Sequence, residues 1–536
     1  MPDLIIILTY LTFILGLGLY LSRKEGEKDE FFLANRQSSW IVIGASIFVV
    51  SISGEYFIGL FGLGEQYGLS IGNIELISCF LILVLSYIFV PLYLKANIYT
   101  VPQYLEKRFN KASRIYLSVI SIFSYILTKI AIVLFAGGFL LNRILGWDIS
   151  KSAIIIVIIA GIYAILGGFK TIIKLDVVQS LFLLAGLSLL LFYGLREIGG
   201  LTEIMKNSSS EYICILKWSD IGDLPILGLV FGIPIIGFAY WCTDQIIVQR
   251  VLSGRSVEDA QRGAILAGFL KILPLFLFVI PGMISFTILK HPHGDGHFAF
   301  ASFIMNSFIP SGVRGLIITG LMAALISTLA NTFNSSSLLF TMDLYKSNHT
   351  DASDEELVLV GRLATTALVI IGIIWIPFIR NFQTNPYIYV MKVNSLISPP
   401  IAAVFILGVL WKRMNAKGAI ITLMTGGIIG IFRLLCELFY DCTAIQLPVL
   451  TTLLNMNFLY FAIILFGFSV IISITTSVLT TPDANPEVSK LVYKPSHNYF
   501  HTFRSSFDFM SRGLKRLNTK ISILLVVLIL ILYIIF

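Results

Sequence analysis

Charge is scarce in this chain. Only 13% of its 536 residues are Asp, Glu, Lys or Arg, where a soluble domain carries about 25%. A chain with so little polar surface cannot cover itself in water, and 57% of its residues are hydrophobic. A dinucleotide fingerprint and a glycine-rich phosphate loop ending in Lys-Ser/Thr are missing too, which argues against an ATP-driven pump. The five cysteines, Cys79, Cys214, Cys242, Cys436 and Cys442, have no metal-type or disulfide-framework spacing. Cys214 and Cys442 fall in loops placed on the same side, so a bridge between them stays open. The first apolar run, Leu4 to Leu21, is too long for a signal-peptide core. No small-residue cleavage site follows it, so it is read as a retained helix.

What is present in quantity is apolar runs of about 20 residues, the length that spans a bilayer. Backbone groups in lipid must pair within the chain, so these runs are helices. They number about fourteen, near 3–22, 39–63, 72–94, 114–142, 152–168, 176–195, 224–250, 263–290, 312–342, 357–380, 387–411, 418–438, 455–478 and 520–536. The organisation follows: 1–38 as first helix and loop, 39–411 as the transport core, and 412–536 as three peripheral helices with a basic loop. The fold class is an all-α polytopic membrane protein.

The formal net charge of +8 does not point to nucleic acid, because Lys and Arg concentrate in alternate short loops. One set of loops holds Arg23, Lys24, Lys28 and Arg36, then Lys95, Lys107, Arg108 and Lys111, and later Arg250, Arg255 and Arg262. The basic set is expected to be cytoplasmic, which places both termini outside a plasma membrane. The outward loop 196–222 carries the glycosylation sequon Asn207-Ser208-Ser209. A cluster of His291, His293, Asp295 and His297 has zinc-type ligands, but no helical spacing fixes their geometry, so they are read as surface residues.

The informative residues are polar ones inside apolar runs. A charge at a helix centre costs about 2.5–3.5 kcal/mol even on the lenient insertion scale. Glu55, Glu75, Lys129, Asp176, Asp244, Lys271 and Lys392 all occupy such positions. Lys129 stands alone and is read as paired internally or snorkelling. The second helix carries Ser51-Ile-Ser-Gly-Glu-Tyr56 at its middle, a composition that unwinds a helix and exposes carbonyls. The seventh carries Gly232, Pro234 and Gly237, then Tyr240-Trp-Cys-Thr-Asp-Gln245. Five helices separate the two starts, which is the pattern of a 5+5 inverted repeat with helices 2 and 7 broken. On the ninth helix, Ala324, Ser327 and Thr328 share a face, with Asn331 a turn on. Two hydroxyls and free carbonyls suit sodium, a hard cation, although Ser and Thr also bond back to their own helix.

The chain resembles the sodium:solute symporters, in particular the sodium/glucose cotransporter branch. The resemblance covers nearly the whole length. It rests on Phe31-Phe-Leu-Ala-Asn-Arg36, Ile98-Tyr-Thr-Val-Pro102 with Glu106-Lys-Arg-Phe109, Tyr240 to Arg250, Phe340-Thr-Met-Asp-Leu-Tyr345 and Pro399-Pro-Ile-Ala-Ala-Val-Phe405, in that order. It implies fourteen helices with a LeuT-like core, a transporter rather than an enzyme, and sodium as the coupling ion. The family's sodium site falls on the carbonyls of Val49, Ile52 and Ala324 and the hydroxyls of Ser327 and Thr328. Asp176 corresponds to an aspartate near the sodium exit path. Some members hold a second sodium on a threonine where this chain has Ala330, which implies one sodium per solute. The substrate residues implied are Tyr56, Glu75, Ser78, Tyr240, Trp241, Lys271 and Met391. Three positions depart from the pattern: Tyr56 replaces His or Gln, Gly237 replaces an Asn of one bacterial member, and Met391 replaces a Gln.

The expected function is alternating-access symport of sodium with a monosaccharide, a glucose- or galactose-like hexose. Two alternatives stay open. One is another organic solute, such as an inositol or an acidic sugar whose carboxylate meets Lys392. The other is a solute sensor without transport.

Overall fold

The computed structural model describes every residue except 1, 24–27, 208, 218, 219, 223, 290–295, 380–384, 440–453, 483–490 and 493–516. The expectations for His291, His293, Asp295, Cys442 and the sequon's Ser208 lie outside the described residues. So does the side chain of His297. Among the described residues there is no strand, only two isolated bridges, Ser38 with Gly254 and Ile221 with Leu224.

The helices that carry the architecture are α1 (Pro2–Ser22), α2 (Trp40–Ser51), α3 (Glu55–Lys95), α4 (Lys111–Leu145), α5 (Ile149–Ile198), α6 (Gly228–Thr243) and α7 (Gln245–Leu252). They continue with α8 (Val257–Leu289), α9 (Val313–Tyr345), α10 (Asp354–Ile379), α11 (Pro386–Leu410), α12 (Ala416–Phe439), α13 (Phe458–Leu479) and α14 (Leu517–Ile535). Eleven of the described helices are long and apolar enough to cross a membrane, or twelve with the bent pair α6–α7 taken as one span.

Two of them are too long for one crossing. At 1.5 Å per residue, the 50 residues of α5 would reach about 75 Å, against a hydrocarbon core of about 30 Å. α5 breaks at Gly168, whose φ of 53° and ψ of −164° only glycine adopts easily. A Cβ there would meet Phe31 Cδ2 at 2.5 Å. α3 turns in the same way at Gly68, φ 69°.

The expected break in the second helix falls between α2 and α3. Ile52 is extended, with φ −107° and ψ 106°, and Ser53 and Gly54 complete the gap. Gly54 is packed so closely on α4 that a Cβ would meet Ile132 O at 2.9 Å. Within the expected run from Gly232 to Gln245, the break in the seventh helix falls at Asp244. The backbone stays helical from Gly228 to Thr243 and bends by 42° at Asp244. Pro234 follows a π-turn, Gly228–Gly232, and the helix runs through it without a break. Asp244 instead adopts φ −70°, ψ 128° and caps α7, its carboxylate accepting from Ile246 N at 2.7 Å.

α9 is the most deeply buried of the spans and α5 packs along it; α1 and α14 lie at the periphery. The centre of the molecule is therefore a helix rich in buried Ser, Thr and Asn, faced by the broken α2–α3 segment and by α5.

Candidate functional site

Two polar clusters sit against the α2–α3 break. The first gathers around Asp176 of α5, which is fully buried. Its Oδ1 accepts from Ser327 Oγ at 2.6 Å and from Asn331 Nδ2 at 2.9 Å. Its Oδ2 accepts from Ser46 of α2, and the Arg250 guanidinium of α7 stands 3.7 Å away. Arg250 Nε also donates to Ser46 Oγ at 3.0 Å. One carboxylate thus ties together α2, α5, α7 and α9.

Ser46 is one turn before Val49, on the same face of α2, so this tie brings the last turn of α2 to the hydroxyl face of α9. Val49 O accepts a bent bond from Ile52 N at 3.3 Å, and Ile52 itself is at the break. Ala324, Ser327 and Thr328 are all completely buried. Among the described residues the Thr328 hydroxyl has no hydrogen-bond partner, nor has Asn331 Oδ1. A buried hydroxyl normally finds a partner. A bare oxygen of this kind suits a hard cation. Asp176, expected along an exit route, is bonded directly to Ser327.

The second cluster lines a cavity of about 90 Å³ between the α2–α3 break, α3, α4, α6 and α11. A water needs about 10–15 Å³ by this kind of measure, so the space holds about half a dozen. Glu75 is its centre. Lys271 Nζ lies 2.8 Å from Glu75 Oε2, with both side chains almost wholly buried. Tyr56 OH donates to Glu75 at 3.1 Å and Tyr387 OH at 2.8 Å. Lys271 also donates to Tyr56 OH and sits 5.3 Å from the centre of the Trp241 ring. Tyr240 and Trp241 meet edge to face, ring centres 5.0 Å apart. The expected residues Tyr56, Glu75, Ser78, Tyr240, Trp241 and Met391 all line this cavity, and Lys271 reaches it through Glu75. The Ser78 hydroxyl, however, donates to Ile74 O of its own helix at 2.9 Å.

Several residues here were read otherwise or missed. Lys129 is not isolated: its ammonium lies 3.0 Å from Glu55 Oε1 and 5.0 Å from the Tyr240 ring centre, on the cavity wall. Internal pairing is what it does, but inside the candidate site. Tyr387 and Asn394 line the cavity with Met391, at i, i+7 and i+4 of α11. That spacing from Met391 was a signal available in the sequence. Lys392 is one residue off this face and is not among the lining residues, so the meeting of an acidic solute with Lys392 finds no support in the geometry.

Carboxylates, ammoniums and phenols around a cavity can exchange hydrogen bonds with a polyhydroxylated solute, while an aromatic face stacks on its ring. A family model described as the sodium:solute symporter family matches residues 31–426. The chain belongs to that family. It is a sodium-coupled symporter rather than an enzyme, built as a multi-pass membrane protein. This symporter is 35% identical to sodium/glucose cotransporter 4 of Mus musculus over 92% of its own length and 77% of that protein. It is equally 35% identical to sodium/glucose cotransporter 1 of Oryctolagus cuniculus, covering 92% of the symporter and 81% of the relative.

Among solved structures, the symporter resembles a sodium-coupled sialic acid symporter in a substrate-bound, outward-open state. The TM-score is 0.75 at 23% identity, over 90% of this chain and 98% of that one. An inward-facing conformation of Mhp1 superposes with a TM-score of 0.51 at 13% identity, over 86% and 96%. At these identities the likeness carries the fold, and it agrees with the inverted-repeat core read from the two broken helices.

Proposed function

We propose that this symporter couples the entry of one sodium ion to uptake of a hexose-like monosaccharide by alternating access. The observation that carries the reading is Glu75 held by Lys271, Tyr56 and Tyr387 on the wall of a cavity lined from both sides of the α2–α3 break. The names of the relatives, sodium/glucose cotransporters, agree with it.

In this reading sodium binds the carbonyls of Val49, Ile52 and Ala324 and the hydroxyls of Ser327 and Thr328. That orders the loosened end of α2 and the adjoining start of α3, which carries Tyr56. The sugar then docks against Glu75 and Lys271, with Tyr240 and Trp241 closing over it. Asp176 takes Ser327 as a hydrogen-bond partner when sodium leaves. One charge falling through 100 mV supplies about 2.3 kcal/mol, and a tenfold gradient adds about 1.4. Together they support roughly 500-fold accumulation.

The same reading divides α3 and α5 at their glycines and joins α2 to the start of α3, which makes fourteen crossings. The segment 39–411 is the core, the basic loops face the cytoplasm, and both termini lie outside a plasma membrane. Uptake of labelled glucose and galactose into proteoliposomes, with an inward sodium gradient and then with potassium, tests the function. Uptake that ignores sodium would overturn it. A charge-to-sugar ratio of two would overturn the stoichiometry.

A further inference from the structure

The solute cavity holds a second charged pair that the sugar-binding set does not use. Glu55, on the first turn after the break, and Lys129, in the middle of α4, form an ion pair at 3.0 Å with side chains 5% and 6% exposed. Glu55 is held on its other oxygen by the Ser53 hydroxyl. Lys129 reaches Tyr240 OH at 3.4 Å, the ring that closes against the solute. Both residues line the cavity together with Glu75. The pair is costly where it stands, because two buried charges lose most of the hydration that water gave them, and their attraction barely repays that loss. It is weak as a stabilising device, so its place on the cavity wall calls for another account.

That account is charge balance. Among the described residues, the charged groups lining this space are the carboxylates of Glu55 and Glu75 and the ammonium of Lys129, and the Lys271 ammonium is paired to Glu75. Each carboxylate has one ammonium, and no net charge is left over. A neutral solute can exchange hydrogen bonds with these groups and leave both pairs intact. An anionic or cationic solute must enter a poorly hydrated space and leave one charge without a partner.

We propose that the Glu55–Lys129 pair is a specificity determinant that restricts the transported sugar to uncharged ones. Glu55 does this by neutralising Lys129, which on its own would attract a sugar carboxylate. The inference rests on the sugar reading above and sharpens it to a class of sugar.

The test is uptake of glucose, galactose, glucuronate and glucosamine by the purified full chain in proteoliposomes under an inward sodium gradient. The unaltered protein is expected to favour the neutral sugars by about tenfold or more over both charged ones. Glu55→Gln leaves the Lys129 ammonium without its carboxylate, so the glucuronate-to-glucose uptake ratio is expected to rise about tenfold. Adding Lys129→Met to Glu55→Gln removes both charges and is expected to return the ratio to near its original value. Equal uptake of charged and neutral sugars by the unaltered protein would overturn the inference and leave the sugar reading standing. So would an unchanged ratio in a monodisperse Glu55→Gln protein. Uptake of none of the four would overturn the sugar reading itself, and the inference with it. If Glu55→Gln does not fold, Lys129→Met leaves the Glu55 carboxylate unpaired and the glucosamine-to-glucose uptake ratio is expected to rise about tenfold, while an unchanged ratio would overturn the inference.

Discussion

Ser327 donates its hydroxyl to Asp176 Oδ1 at 2.6 Å, across 151 positions of sequence. The contact joins the helix that bears the proposed sodium hydroxyls to a carboxylate that also holds Ser46 of α2 and stands beside Arg250. Sodium on Ser327 and Thr328 and the charge on Asp176 are therefore expected to act on one another.

Ser327→Ala removes a proposed ion ligand and a hydrogen-bond donor together. A lost ligand of this kind costs about 1.5–3 kcal/mol, or about 10- to 100-fold in affinity. The sodium concentration for half-maximal uptake is expected to rise by that factor. Full retention of sodium dependence would place the ion elsewhere.

Glu75→Gln leaves Lys271 buried with no carboxylate. Breaking a buried pair by removing one partner costs about 3–5 kcal/mol. Sugar uptake is expected to fall more than 100-fold, measured as initial rates at saturating sodium. An unimpaired variant would mean that Glu75 does not touch the solute.

Tyr387→Phe removes one hydroxyl, which donates to Glu75 at 2.8 Å. A single bond to a charged group is worth about 1.5–3 kcal/mol. The half-saturating sugar concentration should rise about tenfold while the sodium requirement stays as it was. Uptake curves at several sodium concentrations separate the two.

Gly168→Ala places a side chain on a backbone that only glycine adopts easily, with Phe31 in its way. Such strain costs about 1–3 kcal/mol. The midpoint of thermal unfolding in detergent should fall by several degrees, with sodium affinity in the surviving protein unchanged.

The sequence disclosed whatever depends on local composition. Long apolar runs mark membrane helices because lipid solvates each side chain independently. The run Ser51 to Tyr56 marked a break because small polar residues and glycine weaken a helix where they stand. The inverted-repeat core, matched by the sialic acid symporter, was legible for the same reason. The second break was legible as the run Gly232 to Gln245, within which the backbone stays helical past Gly232 and Pro234 and Asp244 takes the bend.

The site was legible only where a familiar pattern marked it. Glu75, Lys271, Tyr240 and Trp241 stood in such a pattern. Tyr387 is one more aromatic in an apolar helix, and its partner Glu75 is 312 positions away. Lys129 looked alone because Glu55 is 74 positions off. By itself, then, the sequence determined that the chain lies in a membrane and where its second helix gives way, since hydrophobicity and backbone propensity act within a turn or two. Which charge meets which was decided only by tertiary structure. Helix packing sets those distances, and it leaves no trace in the spacing of residues along any one helix.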